Sequence, residues 1–172
     1  MAKTATYSLI ASTTLTGTSA QIDFNSIPGT FTDLVMVIRG VSNSNDNIFY
    51  RFNGSSSAIY SRTDLYGTGT TAASIRATSQ TQGRLTNYGY PSSTAGEQNT
   101  IWHIMDYANT TTYKTSLCRS NRASSGVDAM VNLFSSTSAI TSISLATNTF
   151  TGTANWQSGT TVKLYGIQAG SN

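Results

Sequence analysis

Residues 33–39 read Asp33-Leu34-Val35-Met36-Val37-Ile38-Arg39, five apolar side chains in a row between two charges. Leu34 to Ile38 is the longest aliphatic run in the chain, and a membrane helix needs about 20 apolar residues. A run this short, bounded by turn signals, suits a strand at the centre of a sheet. Upstream, Ser26-Ile27-Pro28-Gly29 marks a turn rather than a strand interior.

Outward from this segment, short apolar–polar alternations recur between Gly, Ser and Asn turns. Thr6 to Ala11 and Gln21 to Phe24 precede it as strands. Ile48 to Asn53 alternates Phe49 and Arg51 with Tyr50 and Phe52. Asn53-Gly54-Ser55 then predicts a hairpin into Ala58 to Tyr66. Ala72 to Thr78, within a polar excursion over 67–83, and Arg84 to Tyr90 carry weaker alternation. Residues 91–99 have no apolar anchor and read as a loop. Thr100 to Tyr107, Tyr113 to Arg119, Val127 to Phe134, Ile140 to Ala146 and Thr161 to Ile167 complete the strands. Many short strands separated by turns predict an all-β, single antiparallel β-sandwich spanning 1–172 as one domain. Strands with one apolar face must bury it against a second sheet.

Composition agrees. Of 172 residues, 29 are Thr and 25 Ser, while Glu occurs once and Lys three times, so helix formers are scarce. Only 10% of residues are charged, against about 25% in a typical domain. The start, Met1-Ala2-Lys3-Thr4, leads into Ser/Thr-rich sequence rather than an apolar signal segment. The single cysteine, Cys118, excludes an internal disulfide and a thiolate metal cluster, which suits assembly in a reducing cytoplasm.

The net charge of +3 is uneven, with +3 over 47–96, −2 over 97–112 and +3 over 113–122. Arg51, Arg62, Arg76, Arg84, Lys114, Arg119 and Arg122 are the candidate basic docking contacts. They are too dispersed for the lysine-rich stripe of a nucleic-acid binder. Nor does the pattern offer an enzyme site. The one histidine, His103, lies three residues from Asp106, an odd offset that puts the two on opposite strand faces. The expected acids lie singly at strand ends or on polar faces, without the pairing glycoside hydrolysis needs. Asn43 to Asn47 offers oxygens for calcium but lacks EF-hand spacing, and reads as a capped turn. Asn53-Gly54-Ser55 and Asn109-Thr110-Thr111 match glycosylation sequons and read as turns. No cofactor is implied.

Tyr60, Tyr66, Trp102 and Trp156 are the candidate glycan or interface contacts, because Tyr and Trp combine a large apolar face with a polar tip. Trp156 lies in the hydrophilic loop 152–160 and is the hardest of them to read as core.

The opening YSLIASTTLTGTSAQIDFNSIPGTFTDLVMVIRG, the segment FNGSSSAIYSRTDLYG at 52–67, the stretch Ala77-Thr78-Ser79-Gln80-Thr81, the strand end Ile104 to Thr110 and the terminal VKLYGIQ occur in an order that resembles a group of small virion proteins of tailed bacteriophages. The resemblance covers nearly the whole chain. It implies a jelly-roll-like sandwich and a structural, non-enzymatic role as a capsid decoration (cement) protein, a head-fibre domain or a tail-associated domain, often trimeric. The expected partners are the major capsid protein or other virion proteins and further copies of the chain. The expected location is the outer surface of a virion assembled in the bacterial cytoplasm. A receptor-binding or fibre-associated domain contacting host glycans is the alternative. A lone sandwich without shaft or coiled coil favours decoration.

Overall fold

The computed structural model describes residues 6–151, 153 and 155–168. The strands are β1 (Tyr7–Thr14), β2 (Gln21–Phe24), β3 (Asp33–Arg39), β4 (Ile48–Phe52), β5 (Tyr60–Gly67), β6 (Ala72–Gln80), β7 (Gly83–Arg84), β8 (Gln98–Ile104), β9 (Lys114–Arg122), β10 (Gly126–Phe134), β11 (Ile143–Thr147) and β12 (Thr161–Ile167). Every strand pair is antiparallel. The fold is therefore the expected all-β sandwich. An eight-stranded sheet, β1-β12-β3-β8-β9-β10-β5-β6, packs against a four-stranded sheet, β2-β11-β4-β7. Eight of the eleven strand-to-strand connections cross between the sheets, the jelly-roll-like pattern. The connections that stay within one sheet are the β5-β6 hairpin and the β8-β9-β10 meander.

β3 lies between β12 and β8, and Leu34, Met36 and Ile38 point into the core, each fully buried. The two sheets are joined by aromatic rings. Phe52 of β4 stacks on Trp102 of β8 at 5.4 Å and 12°, and Tyr50 tilts against the same indole at 4.4 Å. Phe134 of β10 meets Phe52 edge-on at 5.3 Å and also contacts Tyr60. Such pairs add about 0.5–1.5 kcal/mol each beyond the area they bury.

The hairpin expected at Asn53-Gly54-Ser55 does not form. Asn53 and Gly54 do take left-handed backbone angles, φ 51° and 67°, and Ser55 N–H donates to Phe52 O at 2.9 Å. But β4 and β5 belong to different sheets. The Phe52 N–H is taken by the Tyr60 hydroxyl at 3.0 Å, and that hydroxyl donates to Ser55 O. The Asn53 side chain accepts from Thr141 and Ser142 N–H and donates to Ala139 O, tying the turn to the segment before β11. A local turn signal thus serves a crossover between sheets. Tyr107 works the same way, since its buried hydroxyl donates to Pro28 O and ties the 28–31 turn to the end of β8.

Trp156 also departs from expectation, being fully buried although its loop is hydrophilic. Its backbone pairs with Ser19 in both directions, and its indole N–H donates to Leu145 O at 3.3 Å. The ring caps one end of the core. Trp156→Ala should therefore lower unfolding free energy by about 3–5 kcal/mol in urea titration, the usual cost of an emptied large aromatic site. A loss below about 1 kcal/mol would show that the ring is not part of the core.

Candidate functional site

From β12 through β3, β8, β9, β10 and β5 the pairing register never slips. With a period of two, odd-numbered residues of all six strands point away from the core and even-numbered residues point into it. Irregularities occur only at the flanking pairs, between Leu9 and Ala11 on β1 and between Tyr60 and Arg62 on β5. The outward residues line up in rows. One runs Leu9, Tyr165, Val35, His103, Leu117, Val131, Thr63, Arg76, and its neighbour runs Lys163, Val37, Ile101, Arg119, Ala129, Leu65, Ser74.

This outer face is unusual in being apolar. Leu9, Leu65, Leu117 and Val127 are each more than half exposed, at 57%, 60%, 51% and 56%. Exposed apolar residues scattered singly need no explanation, but contiguous ones mark a contact surface. Tyr7 stands edge-on to Tyr165 at 6.4 Å and closes one side. The polar pair on the face is His103 Nε2 and Asp33 Oδ2, 2.8 Å apart, with Asp33 Oδ1 also accepting the Asp106 N–H at 2.8 Å. The cross-strand neighbours of His103 are Val35 and Leu117, both aliphatic. A distant aspartate thus reaches the histidine, in a setting of hydrocarbon.

Of the seven basic candidates, Arg76 and Arg119 are exposed on this face. The other five lie elsewhere. Arg51 sits over the Phe150 ring at 4.4 Å. Arg84 pairs with Asp64 at 3.3 Å, and Arg62 lies beside them, its pKa lowered by burial and then by Arg84. Arg122 binds Glu97 at 3.1 Å and Asn45 at 2.9 Å. Lys114 is a correction to the docking set. It is buried and donates to Thr112 O and Thr137 O, and burial pushes its pKa down. Conversely, Arg39 and Lys163 stand exposed on the face and were not singled out by sequence. The pleat could have found Arg39, since it shares odd parity with Val35 and Val37.

The aromatic candidates fare similarly. Tyr60, Trp102 and Trp156 are each no more than 1% exposed, so they offer no ring to a ligand. Their bulk filled the core, which outweighed their polar tips. Tyr66 is half-buried and stacks on Tyr88 at 4.7 Å, which uses one of its faces.

Two carboxylates expected on polar faces instead point inward. Asp128 accepts the backbone N–H groups of Asn87 (2.8 Å), Tyr88 (3.0 Å) and Gly89 (2.8 Å) and the Ser120 hydroxyl (2.7 Å). It holds the 87–89 segment against the sheet. Glycine is needed at 89, where a Cβ would lie 2.7 Å from the Asn121 nitrogen. Asp64, on the adjacent strand, is fully buried. Burial raises its pKa first, and the nearby Asp128 charge raises it further, against the pull of Arg84 and Arg62. Folding therefore favours its protonated form. That contribution is complete below the ordinary value of 3.8 and is lost as pH rises through the raised value. The stability of Asp64→Asn relative to the parent should accordingly increase from pH 3 to pH 7 in parallel urea titrations, and a constant difference would contradict it. Asp128→Ala should cost about 3 kcal/mol by the same measurement, because it strands buried N–H donors. No protein-family model matches this chain, and no curated protein matches its sequence.

Proposed function

We propose that this chain is a non-enzymatic structural protein of a tailed-bacteriophage virion, a capsid decoration protein that sits on the shell surface and stabilises it. The observation that carries the reading is the uncovered apolar face of the eight-stranded sheet. A broad sheet surface, hollowed around Leu65, Ile101, Leu117 and Val131, suits receiving another surface, and contact across subunit seams would add stability without moving parts. The sequence resemblance supports the same role.

Association with further copies, the expected trimer, belongs to the same proposal. β6 ends the large sheet with nine exposed or half-exposed residues and one charge, Arg76. An edge this long and so lightly charged suits pairing with a neighbour. The glycan-binding alternative rests on the Tyr66–Tyr88 pair alone, a smaller basis than the sheet face.

The test is copy number per purified virion, by quantitative mass spectrometry normalised to the major shell protein. Decoration predicts a count comparable to the shell protein. A count of a few to a few dozen would overturn it and move the chain to the tail or fibres.

A further inference from the structure

The charges on the outer face carry information about what covers it. Arg39, Arg76, Arg119 and Lys163 point outward from the eight-stranded sheet, and Asp33, bound to His103, is the carboxylate among its outward strand residues. With four cations and one acid, the face bears a formal +3, which equals the charge of the whole chain. The remaining cations and acids of the sequence cancel. Four of them meet in pairs, Arg84 with Asp64 and Arg122 with Glu97.

Arg39, Arg76 and Lys163 lie toward the margins of a hydrocarbon centre, and Arg119 stands within it between Ile101 and Ala129. Ile101, Leu117, Val131 and Leu65 occupy adjacent strands in the middle of the sheet. At about 4.8 Å between strands and 3.4 Å per residue, seven strands by five or six residues cover roughly 30 by 20 Å. That is on the order of 600 Å², close to the roughly 800 Å² per partner of a stable protein interface.

We propose that the outer face docks on a protein surface of complementary make-up, an apolar patch bearing Asp and Glu carboxylates at its rim and opposite Arg119, and that this is the surface the chain uses on the shell. The inference rests on the decoration reading and adds the partner's chemistry. A second copy is a poorer occupant of this face. A two-fold interface matches a patch with itself, which sets a net +3 against +3. Like charges brought together at an interface cost several kcal/mol, whereas an acidic rim would attract and orient the face. A nucleic acid is poorer still, because Arg119 is one cation among the aliphatic Leu65, Ile101, Leu117 and Val131, where a phosphate track would need several. Self-association through the β6 edge remains compatible, since it uses backbone groups at the sheet margin.

The test uses the full chain and heads of its virus assembled without it. Co-sedimentation is measured for the parent, for Arg119→Glu with Lys163→Glu, for Leu117→Ser with Leu65→Ser, and for the conservative Arg119→Lys. Urea titration checks that each variant is folded. The proposal expects both double variants to bind at least tenfold more weakly and Arg119→Lys to bind like the parent. It also expects parent binding to weaken between 50 and 500 mM NaCl, as screening predicts. Binding by the parent that neither double variant weakens would overturn the inference and leave the decoration reading intact. Failure of the parent to bind heads at all would overturn the decoration reading itself. A dimer of the parent in sedimentation velocity that Leu117→Ser with Leu65→Ser abolishes would assign the face to a second copy. Binding of the parent to a DNA oligonucleotide lost in Arg119→Glu with Lys163→Glu would assign it to nucleic acid. Either result overturns the inference.

Discussion

An unslipped register across six adjacent strands is the constraint on which the rest of this molecule depends. A shift of one residue anywhere from β12 to β5 would exchange inside for outside on the shifted strand. Trp102, Met130 and Ile104 would move to solvent, and Ile101, Leu117 and Val131 would move into the core. The core and the outer face are thus two readings of one pairing pattern. The bulges are confined to the marginal pairs, β1 with β12 and β5 with β6, where a bend leaves the central rows intact.

The register is anchored from the inner side. Phe52 and Tyr50 of the small sheet meet Trp102 of the large one, and Phe134 and Tyr60 extend the cluster across β10 and β5. Around this apolar centre the inward positions turn polar toward β5 and β9. There Asp128 gathers three backbone N–H groups, and Asp64 meets Arg84. Asp128 is a structural fastener placed where a two-residue strand, β7, leaves loop backbone to be satisfied, and Asp64 holds the Arg84 side chain of that strand. The small sheet is narrower than the large one, so side chains near β7 take over hydrogen bonding that a further strand would supply.

Strand positions were largely legible because period-two alternation is a local property. Gln21–Phe24, Asp33–Arg39 and Thr161–Ile167 coincide with the expected segments, and most others differ by a few residues at their ends. The strand expected over Arg84 to Tyr90 is reduced to Gly83–Arg84, the N–H groups of 87–89 going to Asp128 instead of a neighbouring strand. The failures share one physical origin. Asn53-Gly54 has the turn geometry its residues favour, yet whether the chain returns beside β4 depended on Tyr60 occupying the Phe52 N–H. Trp156 read as a loop residue because its neighbours are hydrophilic, and it is buried because loops 15–20 and 41–43 converge on it. Lys114 and Arg62 read as surface cations because charge is visible in sequence while burial is not. The candidate face was only partly legible. Arg76 and Arg119 were among the expected contacts, but their grouping with Arg39 and Lys163 needed the strand order.

By itself, the sequence determined an all-β chain of short strands, because the alternation of side chains and the placing of Gly, Asn and Pro act within a few residues. It also set the net charge and the scarcity of acids. The tertiary structure alone decided which strands are neighbours, which aromatics are core and which cations share a face with Leu65, Leu117 and Val131. Those outcomes depend on pairings between residues far apart in the chain. β1 pairs with β12, and β3 with β8, because burying the inward face of every strand at once leaves this arrangement, and no local stretch contains that condition.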